Sequence, residues 1–235
     1  MKILLLETAT DICSVALGAE ALLIAQAENL QAMQHAAVLT RLIEATLEQA
    51  GLRVADLDAV ALSSGPGSYT SLRVGASTAK GISYALNKPI IAIPTLQGLA
   101  WGAREKHPGA WYLPMIDARR QEVWMALYDE NLVEQQAAQA LILEANALEN
   151  WLLQHVPGFP ETPVVLCGNG VPKVGMPYPA GLSDSGIHAC SATYLPALAH
   201  AAFLSGNFVD TAYFEPNYLK APNITVSKQP ILVKK

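Results

Sequence analysis

Three stretches of the chain carry residues whose types and spacing could do chemistry. The densest in charge is Asp117, Arg119, Arg120 and Glu122. Two carboxylates and two guanidiniums this close could orient a charged substrate, or they could be a solvated hairpin turn whose ion pairs contribute little. The second stretch is Glu7-Thr8-Ala9-Thr10-Asp11, set between two apolar runs. Such a turn can hold a phosphate through backbone N–H groups and threonine hydroxyls, although most threonine-rich turns are only turns. The third is Gly65-Pro66-Gly67, a sharp turn ahead of a helical pattern. The helix start could aim its N–H groups and dipole at an anion. No lysine follows the turn, so it is not a P-loop. The sequence has no carboxylate pair spaced for acid–base work, no His-x-x-x-His and no Ser/His/Asp grouping. His35 has Leu39 four residues on, and a lone helical histidine is more often a surface or capping residue than a ligand.

Composition narrows the classes further. The chain has 235 residues, 51% of them apolar and 15% charged, enough for one large domain or two small lobes. A formal charge of −5 argues against unaided nucleic-acid binding, which needs lysine and arginine against phosphates. Cys13, Cys167 and Cys190 lie far apart with no CxxC pair. They read as buried small hydrophobes in a reducing compartment. The apolar run at residues 3–6 is too short for a signal peptide, and no later run is long enough to span a bilayer. A cytoplasmic, soluble protein is expected.

The elements that must position these groups follow from the apolar spacing. Residues 2–6, 13–17 and 22–27 read as a three-strand meander. Residues 33–50 form the clearest helix, with Leu39, Leu42, Ile43, Thr46, Leu47 and Ala50 at 3.6-residue spacing and Gly51 as its stop. Ala36, Ala37 and Val38 widen its apolar face beyond one stripe, which suits a deeply buried helix or one shared with a partner. Residues 57–62 read as a strand. The helix that follows, to about residue 86, starts at a Ser68 or Thr70 cap. It is crowded with Gly75, Ala76, Ser77, Ala79, Gly81 and Ser83. A helical glycine costs about 1 kcal/mol relative to alanine, so another backbone must come close: the chain's own sheet, or a second polypeptide. Residues 89–94 read as a buried strand, and Thr95 caps a helix to about residue 106.

After a hinge at His107-Pro108-Gly109, strands are expected at 111–117, 122–129 and 134–143, a helix at 145–155 and a strand at 164–166. A long loop over 171–187 and a helix over 192–205 follow. Both halves begin with a three-strand meander, a repeat of fold without a repeat of sequence. The expected class is α/β, a mixed sheet flanked by helices in each of two lobes. Lobe boundaries are expected at 1–106 and 107–220, with an extended or disordered tail over 221–235.

Four stretches carry a resemblance. Residues 5–17 (LLETATDICSVAL), 65–75 (GPGSYTSLRVG), 116–123 (IDARRQEV) and 215–219 (EPNYL) resemble, in order, the signatures of the bacterial TsaB (YeaZ) family. Glu7 departs from the aspartate many members carry, and Ser71 stands where glycine is frequent. The resemblance implies the actin-like ATPase (ASKHA, ribonuclease H-like) fold. It also implies a supporting role beside the catalytic subunit TsaD and the ATPase TsaE. Together these place a threonylcarbamoyl group on N6 of adenosine 37 in tRNAs that read ANN codons. Relatives that do the chemistry hold a metal with a His-x-Glu-Gly-His run; here the matching place reads Thr95-Leu96-Gln97-Gly98-Leu99. Neither end residue supplies an imidazole. Relatives also cradle nucleotide phosphates on a glycine-rich hairpin that here reads Asp117-Ala118-Arg119-Arg120, with bulky side chains.

The implied protein is a non-catalytic, dimerising subunit without a metal or a cofactor of its own. ATP or ADP at a subunit interface, touched by Thr8 and Thr10, is the nucleotide role left open. The first two long helices are expected to meet TsaD through Met33, Ala36, Leu39, Thr40, Ile43, Leu47, Tyr69, Leu72, Arg73, Ala76, Ala79 and Lys80. Alone, the same face could self-pair, or a homodimer could use another face. tRNA would be met only through the complex. The rival reading is a stand-alone ATPase, small-molecule kinase or metallopeptidase-like protein of the same fold.

Overall fold

A computed structural model describes residues 1–220. The tail expected over 221–235 lies outside the described residues. The chain opens with strands β1 (Lys2–Glu7), β2 (Cys13–Ala19) and β3 (Leu22–Asn29), then helix α1 (His35–Gln49). Strand β4 (Ala59–Ser63), helix α2 (Tyr69–Leu86), strand β5 (Ile90–Ile93) and helix α3 (Thr95–Lys106) complete the first half. The second half holds β6 (Trp111–Asp117), β7 (Glu122–Tyr128), β8 (Glu134–Ile142), α4 (Ala147–His155), β9 (Val164–Cys167), β10 (Leu182–Asp184) and α5 (Pro196–Leu204).

The strands form two five-stranded sheets, ordered β3-β2-β1-β4-β5 and β8-β7-β6-β9-β10. In each, an antiparallel meander leads into two parallel strands reached by crossovers. The repeat expected from the two meanders is therefore a repeat of complete sheet topology.

Side-chain alternation along β1 explains how the first sheet is covered on both faces. Leu4 and Leu6 pack toward α1 and α2, with Leu39, Ile43, Leu47, Ala76 and Ala79. Ile3 and Leu5 pack on the opposite face against Leu195 and Ala199. In the second sheet, Tyr112 and Ile116 pack on Leu96, Leu99 and Ala103 of α3, while Leu113 and Met115 meet Leu148 and Leu152 of α4. A cut between residues 106 and 107 thus follows the sheets but not their covers. Helix α3 lies on the second sheet, and α5 returns to the first.

Local chemistry sets the helix ends. Gly51 takes φ +66°, and the N–H groups of Gly51 and Leu52 bond back to the carbonyls of Glu48 and Leu47. This is a Schellman end for α1. Asn87, at φ +53°, ends α2 in the same way. Ser68 is the cap of α2, its hydroxyl accepting from the Ser71 N–H.

Five local expectations are corrected. Helix α1 starts at His35; Met33 lies before it with φ +62° and is 93% exposed. His35 itself is buried, and its Nε2 meets the Ile12 carbonyl. Thr95 is the first residue of α3 and does not cap it. The stretch over 171–187 contains β10 and a short helical turn, Val171–Lys173. The expected helix over 192–205 is a turn, Ala192–Tyr194, followed by α5, because Pro196 fits a helix only in its first turn.

Candidate functional site

The turns after β1 and β6 face each other across an interlobe cleft of about 470 Å³. Thr10, Asp11, Ser68 and Thr70 line it from the first lobe; Asp117, Arg119, Trp124 and Asn169 line it from the second. Lys220 closes one end.

The first turn is packed shut. A Cβ on Gly67 would overlap the Ala9 carbonyl, and the Ser68 N–H donates to that carbonyl at 2.7 Å. The Gly65 N–H donates to Thr95 Oγ1 at 3.1 Å. Two N–H groups of the glycine turn are therefore satisfied inside the protein rather than aimed at an anion. Thr8 is also corrected as a nucleotide contact. It is buried, and its Oγ1 occupies the space where a Cβ on Gly75 would stand. Thr10 does line the cleft.

Glu7 turns inward as well. Its carboxylate accepts from the Ala9 N–H at 2.7 Å and is almost wholly removed from solvent. Burial raises its pKa to about 7, against the opposing hydrogen bonds of Ala9, Ser63 and Thr8. A carboxyl buried against its own turn is not placed to hold a metal-bound water in the cleft.

The second turn is open and ionic. Arg119 and Arg120 take φ +73° and +51° with exposed side chains. The Asp117 carboxylate accepts from the Arg119 N–H and from Lys173 Nζ, both at 2.6 Å, and the Asp117 N–H donates to Asn169 Oδ1. Burial works against ionised Asp117, but Lys173 and the Arg119 N–H outweigh it and hold the carboxyl below its usual range. Glu122 pairs with Lys220 at 2.5 Å. The charged cluster is thus mostly consumed by local pairing; among the described residues neither Arg119 nor Arg120 enters an ion pair.

The two positions where relatives carry metal-binding histidines are part of the interior. Thr95 accepts from Gly65, and Leu99 packs in the core under α3. Among the described residues no group of three or more His, Cys, Asp or Glu could hold a metal ion. All three cysteines are free and buried, and burial pushes their thiols upward in pKa.

The helix pair divides the expected partner residues in two. Leu39, Ile43, Leu47, Ala76 and Ala79 are buried against the chain's own sheet, and Leu72 is buried beside the Gly65 turn. As partner contacts they are corrected: their spacing marks the inward faces of α1 and α2. A large charged residue at Ala79, which has no exposed surface, would break this core before it tested any partner. Ala36, Thr40 and Arg73 point outward, and Tyr69 and Lys80 are half-buried. Ala36 lines an open groove of about 420 Å³ with Tyr69, Thr70, Arg73, Val74, Ser77 and Thr78.

Sequence reasoning met residues 215–219 only as a family signature and gave no role to the segment 209–220, which runs back along α2. Asn217 packs on the Gly65 turn, with its N–H donating to the Ser64 carbonyl at 2.6 Å. Tyr218 sits 4.6 Å from the Tyr69 ring, and its hydroxyl accepts from Arg73 Nε. The aromatic and proline residues at 213–218 were the available signal. Asn169, between Gly168 and Gly170, was visible only as part of a glycine-rich stretch.

Comparison with known proteins follows this geometry. The family model described as TsaD, tRNA N6-adenosine threonylcarbamoyltransferase, matches residues 27–224. The tRNA threonylcarbamoyladenosine biosynthesis protein TsaB of Escherichia coli K12 is 30% identical over 235 residues, covering 98% of this chain and 99% of that protein. The chain belongs to the TsaB (YeaZ) family. The solved structure of YeaZ from Pseudomonas aeruginosa superposes with a TM-score of 0.79 at 28% identity, over 93% of this chain and 99% of the other. The activator of 2-hydroxyisocaproyl-CoA dehydratase from Clostridium difficile, solved with bound ADPNP, gives a TM-score of 0.54 at 11% identity, over 88% and 97%. At that identity only the fold is shared. The fold of this TsaB-family chain is the actin-like ATPase fold, two lobes each with a mixed sheet flanked by helices. No helix among the described residues is long and apolar enough to cross a membrane.

Proposed function

We propose that this chain is a non-catalytic subunit in tRNA threonylcarbamoyladenosine biosynthesis that pairs with TsaD, in a cycle that also uses TsaE. The observation that carries the reading is the α1–α2 pair. Its inward faces are closed on the chain's own sheet, while its outward side is an open groove edged by the small residues Ala36, Ser77 and Thr78. Small residues let a second pair of helices approach closely, giving a four-helix contact. The absence of a catalytic role is supported by Thr95 and Leu99, which are committed to internal contacts. tRNA is met through the complex, in keeping with the net charge of −5. In the absence of TsaD the same groove serves a homodimer. Any ATP or ADP is shared at the subunit interface, a reading supported for Thr10 only by its position in the lining of the cleft.

Reconstitution tests this directly. Purified TsaD, tRNA and threonylcarbamoyl adenylate are assayed with and without this chain. Modified tRNA should form only when the chain is present. Ser77 is exposed on the groove wall, so Ser77→Arg should melt like the wild type yet fail to co-purify with TsaD. Equal modification by TsaD alone, or wild-type co-purification of the variant, would refute the assignment.

A further inference from the structure

The groove and the cleft share a wall. Tyr69 and Thr70, in the first turn of α2, line both. The segment 209–220 is fastened to that turn and to both lobes. It begins at the free edge of the first sheet, where the Val209 N–H donates to the Ile90 carbonyl. It then follows α2: Thr211 Oγ1 meets Ser83 Oγ at 3.2 Å, and Lys80 Nζ donates to the Ala212 carbonyl at 3.1 Å. Phe214 packs against the first-lobe core. Asn217 is held on the glycine turn by the Ser64 carbonyl. Tyr218 then packs at a tilt of 43° on Tyr69, and the Arg73 guanidinium lies 4.4 Å from the Tyr69 ring centroid. Finally Lys220 crosses to the second lobe. There it pairs with Glu122 and lies 5.2 Å from the Trp124 ring.

We propose that residues 209–220 are a strap that couples docking in the α1–α2 groove to closure of the interlobe cleft. Its two ends differ in kind. The first-lobe end is held by backbone bonds and a packed phenylalanine. Among the described residues the second-lobe end is a single lysine, half-exposed, on one carboxylate and one ring. The weak end is the one that opens. A partner helix lying in the groove touches Tyr69 and Arg73, fixes the ring and the guanidinium that Tyr218 packs against, and so holds Lys220 within reach of Glu122. By linkage, a closed cleft presents Tyr69 and Arg73 in the arrangement the partner needs, so each event favours the other. The docking half rests on the partner assignment above; the closure half does not.

Spin labels at Glu48→Cys on α1 and Asn150→Cys on α4, both exposed positions, report the interlobe distance, and the native cysteines are buried. With the strap intact the distance distribution should be single and narrow. Lys220→Ala should broaden it toward longer distances, and Lys220→Arg, which keeps the pair, should restore it. The unlabelled Lys220→Ala protein should bind TsaD at least about fivefold more weakly, the lower end of ordinary coupling, although Lys220 lies outside the groove. An unchanged distance distribution in Lys220→Ala, or a broadened one with unchanged TsaD affinity, overturns the strap. If the wild type fails to bind TsaD, the partner assignment falls, and the distance measurement alone then decides whether the strap closes the cleft.

Discussion

The turns after β1 and β6 occupy equivalent places in two sheets of identical topology, yet they are held by opposite means. The first is held by packing. Thr8 and Ala9 are buried, Gly67 and Gly75 lie against them with no room for a side chain, and the one acid, Glu7, is folded inward. The second is held by charge. Asp117 and Glu122 are tied to Lys173 and Lys220, and the tip is two exposed arginines in left-handed conformation. Equivalent turns of a repeated topology can therefore be held by different means. In the first, backbone and small side chains fill the space behind the turn. In the second, bulky charged side chains stand at the tip.

The contrast should show most strongly in pH dependence. Glu7 has its pKa raised from 4.5 to about 7, chiefly by burial. A carboxyl raised in the folded state favours folding fully below the unfolded pKa, and that contribution disappears as pH rises through about 7. Between pH 4.5 and 7 the shift amounts to on the order of 3 kcal/mol. Glu7→Gln keeps an acceptor for the Ala9 N–H and cannot ionise. Measured by urea unfolding at several pH values, the variant should gain on the wild type from pH 5 to about pH 7 and level off above that. A difference independent of pH would mean that the first turn is not the sealed environment described.

Packing in the first turn gives the next largest effect. Gly67→Ala places a methyl on the Ala9 carbonyl and beside its Cα. The backbone there cannot swing away as a flexible side chain could, so a loss of about 2–3 kcal/mol is expected. A loss under about 0.5 kcal/mol in a denaturation curve would show that the two strands of chain separate easily and that the packed turn is not rigid.

The sequence made some of this legible and hid the rest for identifiable reasons. The meanders, the Gly51 stop and the Ser68 cap were readable because each depends on a few neighbouring residues. Spacing on α1 and α2 was also readable, but it says only that a face is apolar. Leu39, Ile43, Leu47 and Ala79 satisfy a sheet of the same chain as well as they would satisfy a partner, and only burial separates the two. Of the groove-lining positions, Ser77 and Thr78 carry no hydrophobic signal, and Ala36 reads only as a widening of the apolar face. The inward turn of Glu7 was not legible because it depends on the Ala9 N–H and the neighbourhood of Ser63, more than fifty residues away. The crossing of α3 and α5 between the lobes was invisible for a related reason: nothing in a helix's own periodicity says which sheet it covers.

The smallest effect tests the ionic turn by removing one of its charges. An L-residue in the left-handed region is disfavoured by roughly 1–2 kcal/mol, whereas glycine is not. Against this, glycine adds unfolded-state freedom of about 0.5–1 kcal/mol. Arg120, at φ +51°, is exposed and enters no ion pair among the described residues. Arg120→Gly should therefore stabilise the isolated chain by about 0.5 kcal/mol, visible as a small rise in melting temperature. If the second turn is held only by the Asp117–Lys173 and Glu122–Lys220 pairs, stability should rise whatever the salt concentration. A loss of stability that high salt abolishes would instead assign the arginine an attractive charge contact, and the division between a packed turn and an ion-paired turn would have to be redrawn around Arg120.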